Sequence, residues 1–460
     1  MGPFSLTSVA DIPAPRGLRA RMLRGAFFEV SGYGAQQVIR LGSNLVLTRL
    51  LFPAAFGLAS MVWVITSGLV MLSDVAIHAC VIQSKRGDEP AFLNTAFTVQ
   101  AIRGLGLALF MLILGKPAAL FYREPQLEHL LYLGSLQLLF GGLHSTSVYT
   151  LRRKLSLGWV NGVEFAQSLF ATIVTLLLAW LHPSPAALVL GGISGSFFFA
   201  IVTHFLPVPY RNRFQLEKEA AQELRHFGSW VFGSSATAFL GGQSDRILLG
   251  RLLGAAWLGI YSVATNLSDA INMVVTRVIN GVMYPALSHA GRESGANISS
   301  LFYRMRLRLD ALSMSATGFV AGMGGWVVHT LWDQRYGDAA WILQILCVRI
   351  AVALLIAPTE TCLFSLGHTR YGFFRSITRL VGTVILLPLG WHFFGVRGVI
   401  WGTVAAEVPT LFAVWPQSRR LGILRVRREL LSVLIFAVAF AAGHFLSPLL
   451  PVIHLRRHPH

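Results

Sequence analysis

Residues 44–60 read NLVLTRLLFPAAFGLAS, and residues 246–262 read RILLGRLLGAAWLGIYS. The two stretches align without a gap at an offset of 202 residues. Leu47, Arg49, Leu50, Leu51, Ala54, Gly57 and Ser60 fall on Leu249, Arg251, Leu252, Leu253, Ala256, Gly259 and Ser262. Leu and Ala coincide by chance in any apolar chain, but the shared frame RLL…A..G..S argues for an internal duplication. Each copy sits where the first apolar span of a half gives way to the second. Six spans separate the copies, so the halves share an orientation. Such parallel repeats relate two bundles by an axis along the membrane normal and leave a substrate path between them.

Around these stretches the chain is almost all apolar span. It has 460 residues, of which 54% are hydrophobic and 13% charged, with a mean hydropathy of +0.61. A soluble domain carries about 25% charged residues. A stretch of roughly 20 apolar residues matches the roughly 30 Å hydrocarbon core of a bilayer. Thirteen such stretches can be drawn: 31–51, 57–82, 91–114, 127–150, 158–181, 186–206, 227–250, 257–286, 306–331, 339–366, 372–394, 397–416 and 429–450. The expected fold is an all-α integral membrane protein of 12 to 14 transmembrane helices. Its expected parts are a basic cytoplasmic tail at 1–30, a six-helix bundle at 31–206, a basic cytoplasmic linker at 207–226 and a second six-helix bundle at 227–416. A basic loop, an extra apolar helix and a tail follow at 417–460.

The net charge of +18 does not point to nucleic acid, because the cations cluster between spans. Arg16 to Arg24, Lys85 with Arg86, Arg152 to Lys154, and Arg211, Arg213, Lys218 and Arg225 mark alternate loops. Arg292 with Arg304, Arg306 and Arg308, then Arg370 with Arg375, and Arg419 to Arg428 continue the series. The intervening loops are poorer in cations, so the positive-inside rule places the N-terminus in the cytoplasm. Arg456 and Arg457 break the pattern mildly, which leaves a surface-lying or re-entrant last segment as the competing reading. Cys80, Cys347 and Cys362 lack paired spacing and read as core hydrophobes. No P-loop, HExxH or GxSxG stretch appears, and no loop is long enough for a separate catalytic domain. No metal or cofactor is expected.

Charge inside a membrane is costly, about 2.5–3.5 kcal/mol at the centre on translocon scales, so it must face a cavity or a partner. Gln36, Arg40, Ser43 and Asn44 follow a 3–4 spacing and share one helix face. Arg103, Arg277 and Arg349 lie within later spans. With Arg40 and Asn44 they form the candidate substrate-binding set. Asp74, Asp269, Glu360 and Glu407 are candidates for ion coupling or charge pairing. Arg349 and Glu360, eleven residues apart, fall about 20° apart around a helix and could share one wall of a path. An excess of Arg over acid suits an anionic cargo; ion pairs that only fix helix packing are the alternative.

Several stretches resemble the polysaccharide-transport, Wzx-type branch of the multidrug/oligosaccharidyl-lipid/polysaccharide flippase superfamily. They are Arg49-Leu-Leu-Phe-Pro with Phe56-Gly57, Leu72-Ser-Asp74, Val81-Ile-Gln83, Asn94-Thr-Ala-Phe97 and Leu151-Arg-Arg-Lys154. The most specific is Asp245-Arg-Ile-Leu-Leu-Gly-Arg251-Leu-Leu-Gly254, followed by Leu258-Gly-Ile-Tyr-Ser-Val-Ala-Thr-Asn266. The resemblance runs from about residue 24 to 420. It implies a MATE-like pair of six-helix bundles, alternating access, and a polyprenyl-diphosphate-linked oligosaccharide carried towards surface polysaccharide. It also implies a gating or structural role for Arg49, Asp245, Arg246 and Arg251. Polysaccharide polymerase and chain-length machinery are the protein partners to be expected. A cation-coupled multidrug antiporter of the sister branch and a membrane glycosyltransferase or ligase are the other readings. The first would favour an acidic, aromatic cavity; the second would need a sizeable outer loop.

Overall fold

The computed structural model describes residues 34–73, 77–154, 156–291, 298–368 and 370–451, with the side chains of 226–232 and 234 set aside. Asp74, Arg292, the first 33 residues and the tail with Arg456 and Arg457 lie outside the described residues. Among the described residues the regular structure is all helix, with no strand. Helix α1 covers 34–50. It is followed by α2 (Pro53–Leu72), α3 (Ile77–Gln83), α4 (Pro90–Tyr122), α5 (Gln126–Gly142), α6 (Ser147–Arg153), α7 (Leu157–Leu181) and α8 (Pro185–Val202). The C-terminal half holds α9 (Lys218–Val278), α10 (Tyr284–Ala290), α11 (Ile298–Leu331), α12 (Ala339–Ser365), α13 (Arg370–Glu407), α14 (Pro409–Arg420) and α15 (Val426–Leu446). Pro53, Pro90, Pro185 and Pro409 open their helices. There the missing N–H costs no hydrogen bond and the fixed φ suits the helix.

Among the described residues, nine helices are long and apolar enough to cross a membrane. Two of them double back. Gly254, at φ 78°, splits α9 into two antiparallel arms, and Tyr261 on the second arm reaches back to Asp245 on the first. Gly395, at φ 58°, does the same in α13, so that Gly390 faces Gly398 across the hairpin. An L side chain is disfavoured at such φ, and glycine carries no such penalty. A π-helical turn, Ile279–Met283, precedes α10. Pro285 one turn later has no N–H to continue a regular ladder.

The repeat glycines explain how the halves meet. A Cβ on Gly57 would lie 1.8 Å from the Ala255 carbonyl oxygen, and one on Gly259 would lie 1.8 Å from that of Pro53. Residue 255 is the repeat equivalent of 53, and 259 of 57, so the contact is self-complementary in the manner of a two-fold interface. One apolar core grows around this crossing and is shared by both halves. It holds Leu51, Phe56 and Met61 from one half and Leu249, Leu258, Tyr261, Trp332 and Tyr336 from the other. Tyr336 is fully buried, donates from its hydroxyl to the Leu51 carbonyl at 2.9 Å and meets the Phe56 ring edge-on at 5.9 Å. We call this the sealed end.

At the opposite end the cores are smaller. One, with Met283, Leu287, Phe302 and Val414, belongs to the C-terminal half. Another joins Ile77, Cys80, Phe92 and Leu93 to Ala220 and Leu224. The first two turns of α9 therefore dock on the N-terminal helices. The linker before them is strapped to the same helices. The Asn94 amide donates to Gln215 and accepts from the Arg213 N–H, Thr98 accepts from the Gln215 N–H, and Thr95 accepts from the Glu217 N–H. Burial of Cys80, Cys347 and Cys362 fits the core role expected of them.

The last apolar helix, α15, runs parallel to α11. Arg306 on α11 holds Asp310 at 3.1 Å and Glu429 on α15 at 2.5 Å, and Ser432 donates to Asp310. Further along, Gly318 and Gly322 sit against the Phe436 and Phe440 carbonyls. At its far end Pro451 accepts from the Trp326 indole. Contact along this length argues against a segment that lies on the surface.

Candidate functional site

Two polar cavities lie within the bundle, one in each half. The larger, about 410 Å³, is lined by both arms of α9, the π turn, α12 and α13. Both volumes fall in or near the range of roughly 300–1,000 Å³ for ligand pockets. The wall of this cavity carries four arginines and four carboxylates, all engaged with one another. Arg349 on α12 meets Asp245 on α9 at 2.8 Å, and the Tyr261 hydroxyl donates to the same carboxylate oxygen at 2.7 Å. Arg246 lies 3.5 Å from Asp269, donates to Gln243 at 2.7 Å and stacks 5.3 Å from the Trp63 ring of α2. Asp245 and Arg246, adjacent in sequence, thus point to different partners, and Arg246 ties the cavity wall to the N-terminal half.

Deeper towards the opposite end, Arg375 bridges Glu360 at 2.5 Å and Glu407 at 3.2 Å. Arg379 meets Glu407 from one turn away at 3.3 Å. Glu407 is 1% exposed. A carboxylate this deep persists only if cations and hydrogen bonds offset its lost hydration. The reverse also holds, so each arginine depends on its acid. Among the described residues the buried Nε of Arg375 has no hydrogen-bond partner. The guanidinium fork matches phosphate and carboxylate oxygens. The wall is therefore neutral at rest, while its arginines could exchange carboxylate for phosphate oxygen.

The smaller cavity, about 320 Å³, lies inside the N-terminal half between α2, α4, α5 and α8, with α3 and α6 at its edge. Arg103 is in its wall, where it donates to the Val70 carbonyl at 2.5 Å and Ser73 Oγ at 3.0 Å. It holds the end of α2. Gln100 donates to the His144 carbonyl at 2.9 Å and accepts from the Tyr149 hydroxyl at 2.8 Å. His144 Nδ1 is 2.7 Å from the Gly141 carbonyl, and its Nε2 is 2.9 Å from the Tyr149 hydroxyl.

The candidates read from sequence are thus distributed. Arg349, Asp245, Arg246, Asp269, Glu360 and Glu407 share the larger cavity, while Arg103 belongs to the smaller. Arg40 bridges the halves by donating to Asn266 at 3.2 Å. Asn44 accepts from the Trp332 indole at 3.3 Å, at the sealed end. The Arg49 carbonyl there accepts from Arg335 at 2.8 Å, and Arg251 lies 5.8 Å from the Phe121 ring. Arg277 lines neither cavity. Asp74 lies outside the described residues. Two cavity arginines, Arg375 and Arg379, lie outside the candidate set, and the sequence pattern groups Arg375 with the loop charges that give sidedness. Its position five residues into α13, facing Glu360, gives it a second role.

A family model described as "Polysaccharide biosynthesis protein" matches residues 46–341. The chain is 23% identical over 413 residues to the succinoglycan biosynthesis transport protein ExoT of Rhizobium meliloti (strain 1021), covering 87% of this chain and 82% of that one. Among solved structures it is similar to the lipid II flippase MurJ in an inward closed conformation, with a TM-score of 0.67, 10% identity, and coverage of 92% of this chain and 98% of that one. An inward-facing multidrug resistance MATE transporter of the MOP superfamily gives a TM-score of 0.59 at 13% identity, covering 90% and 94%. These two likenesses show the fold: an all-α arrangement of membrane-crossing helices like that of the two solved proteins, as the resemblance implied.

Proposed function

The chain belongs to the polysaccharide biosynthesis protein family, and from that membership we propose that it is a flippase rather than an enzyme. Its cargo is a polyprenyl-diphosphate-linked oligosaccharide, carried from the cytoplasmic to the outer leaflet of a bacterial inner membrane for surface polysaccharide. The observation that carries this reading is the larger cavity. It sets four arginines, Arg349 buried and Arg246, Arg375 and Arg379 half-buried, against four carboxylates, and the buried Nε of Arg375 has no hydrogen-bond partner among the described residues. A diphosphate offers the acceptor oxygens that such arginines match, while the polyprenyl tail stays in lipid. Arg375, Arg379, Arg246 and Arg349 are the groups that would exchange partners. Arg40, reaching across to Asn266, would follow the two halves as they move.

In this reading the thirteen crossings form two six-helix bundles and one added helix, with the N-terminus in the cytoplasm. The shared core around Gly57, Gly259 and Tyr336 then seals the outer end, and the cavities are reached from inside. Polysaccharide polymerase and chain-length machinery would act on the delivered cargo. The test is the lipid-linked sugar pool in a strain lacking the gene, with and without its restoration. A complete repeat unit accumulating on polyprenyl diphosphate, with loss of surface polymer, is the result expected. A normal pool with altered sensitivity to cationic drugs would favour the antiporter. An incomplete sugar chain would favour a transferase.

A further inference from the structure

We propose that the smaller, N-terminal cavity is a sugar subsite, separate from the charged cavity that takes the diphosphate. The inference rests on the flippase reading and names what this second pocket recognises.

Among the described lining residues Arg103 is the one arginine or lysine, and it donates to the carbonyl of Val70 and the hydroxyl of Ser73. The described lining carries no carboxylate. The side chain of Gln137 lines the pocket and has no hydrogen-bond partner among the described residues. Its amide rests against α8 where Gly192 lacks a side chain, and a Cβ there would stand 3.3 Å from the Gln137 Oε1. Ser196, one turn along α8, also lines the pocket without a partner among the described residues.

The third element is the group formed by Gln100, His144 and Tyr149. The Gly141 carbonyl can only accept, so the proton of a neutral His144 ring sits on Nδ1, which leaves Nε2 as an acceptor. The single proton of the Tyr149 hydroxyl then faces two acceptors, Gln100 Oε1 at 2.8 Å and His144 Nε2 at 2.9 Å. It can satisfy one of them at a time. The pocket therefore asks a ligand for a donor at this group and for both donors and acceptors at Gln137 and Ser196. A phosphate at neutral pH offers chiefly acceptors, whereas sugar hydroxyls offer both. His78 and Tyr149, whose rings meet edge to face at 5.4 Å between centroids, close one side of the pocket. The volume of about 320 Å³ lies at the lower end for small ligands.

The test uses the full-length protein in lipid nanodiscs and two probes. One is polyprenyl diphosphate; the other is the lipid-linked oligosaccharide that accumulates in a strain lacking the gene. The native protein should bind the sugar-bearing lipid at least about tenfold more tightly than the bare diphosphate. Gln137→Met should erase most of that preference while leaving affinity for polyprenyl diphosphate unchanged. Ser196→Ala, which removes only a hydroxyl, should reduce the preference in the same direction. Equal affinity of the native protein for both probes, or variants that weaken both probes alike, would overturn the subsite while leaving the diphosphate reading intact. Failure of both probes to bind would remove the flippase reading and the subsite with it.

Discussion

Replacing Gly57 or Gly259 with alanine should force apart the end of the molecule where the two halves share a core. In each case the new Cβ would lie 1.8 Å from a backbone carbonyl oxygen of the other half. Real Cβ atoms essentially never approach closer than 3.0 Å, so the backbones must separate locally by about 1.2 Å, which is 3.0 less 1.8. Neither clash can be relieved by a rotamer change, because both partners are main chain. Overpacking of this kind costs about 1–3 kcal/mol, equivalent to about a 5- to 150-fold shift in a two-state equilibrium. The cost falls only on the state in which this end is closed. Spin labels at His182→Cys and Ala256→Cys, both exposed and on opposite halves at this end, report the separation by pulsed electron resonance. The three native cysteines are buried and should add little background. Each variant should move population to longer distances. The double variant should add less than the sum of the two, because one separation relieves both clashes. Unchanged distance distributions in both folded single variants would refute the steric argument.

Other consequences follow from the buried pairs and the strap. Glu407→Gln leaves Arg375 and Arg379 without their shared carboxylate, at a cost of about 3–5 kcal/mol. Thermal unfolding in detergent should show the loss, and millimolar pyrophosphate should restore part of it; an unchanged melting temperature would count against the pairing. Arg306→Met strands Asp310 and Glu429 at a similar cost of about 3–5 kcal/mol and should expose the α14–α15 loop to proteolysis. Replacing all three with apolar residues should recover much of that stability, since well-packed apolar substitutes for a buried ion network are often neutral or better. Asn94→Ala removes two hydrogen bonds to the linker, one of them from the Arg213 N–H, so amide exchange at Arg213 should quicken by roughly tenfold. No change there would mean that Thr95 and Thr98 alone hold the strap.

The apolar spans and the repeat were legible because bilayer thickness and helical period act on neighbouring residues. The meaning of the repeat was not. Nothing in RLL…A..G..S says that Gly57 meets Ala255 and Gly259 meets Pro53 across the halves. Periodicity placed Arg40 with Asn44 and Arg349 with Glu360 on shared faces, but a face does not name the helix it meets. Arg349 pairs with Asp245, 104 residues away, and Arg306 with Glu429, 123 residues away. Arg306 and Arg375 were read as loop cations because a cation near the end of a span looks alike whether it faces water or a buried acid. The chain order likewise hides that Ala220 and Leu224 of α9 pack with the N-terminal helices.

The central claim, transport of a lipid-linked sugar, is tested most directly by translocation in proteoliposomes. The purified chain would be reconstituted with the lipid-linked oligosaccharide that accumulates in the deletion strain, and the headgroup exposed on each leaflet would be followed with an impermeant sugar-cleaving enzyme. The account predicts that the whole cargo becomes accessible with the protein and only the outer-leaflet share without it. It also predicts that an Arg375→Gln, Arg379→Gln variant, folded and inserted, slows the transfer strongly. Accessibility that stays at the outer-leaflet share with the native protein would contradict it.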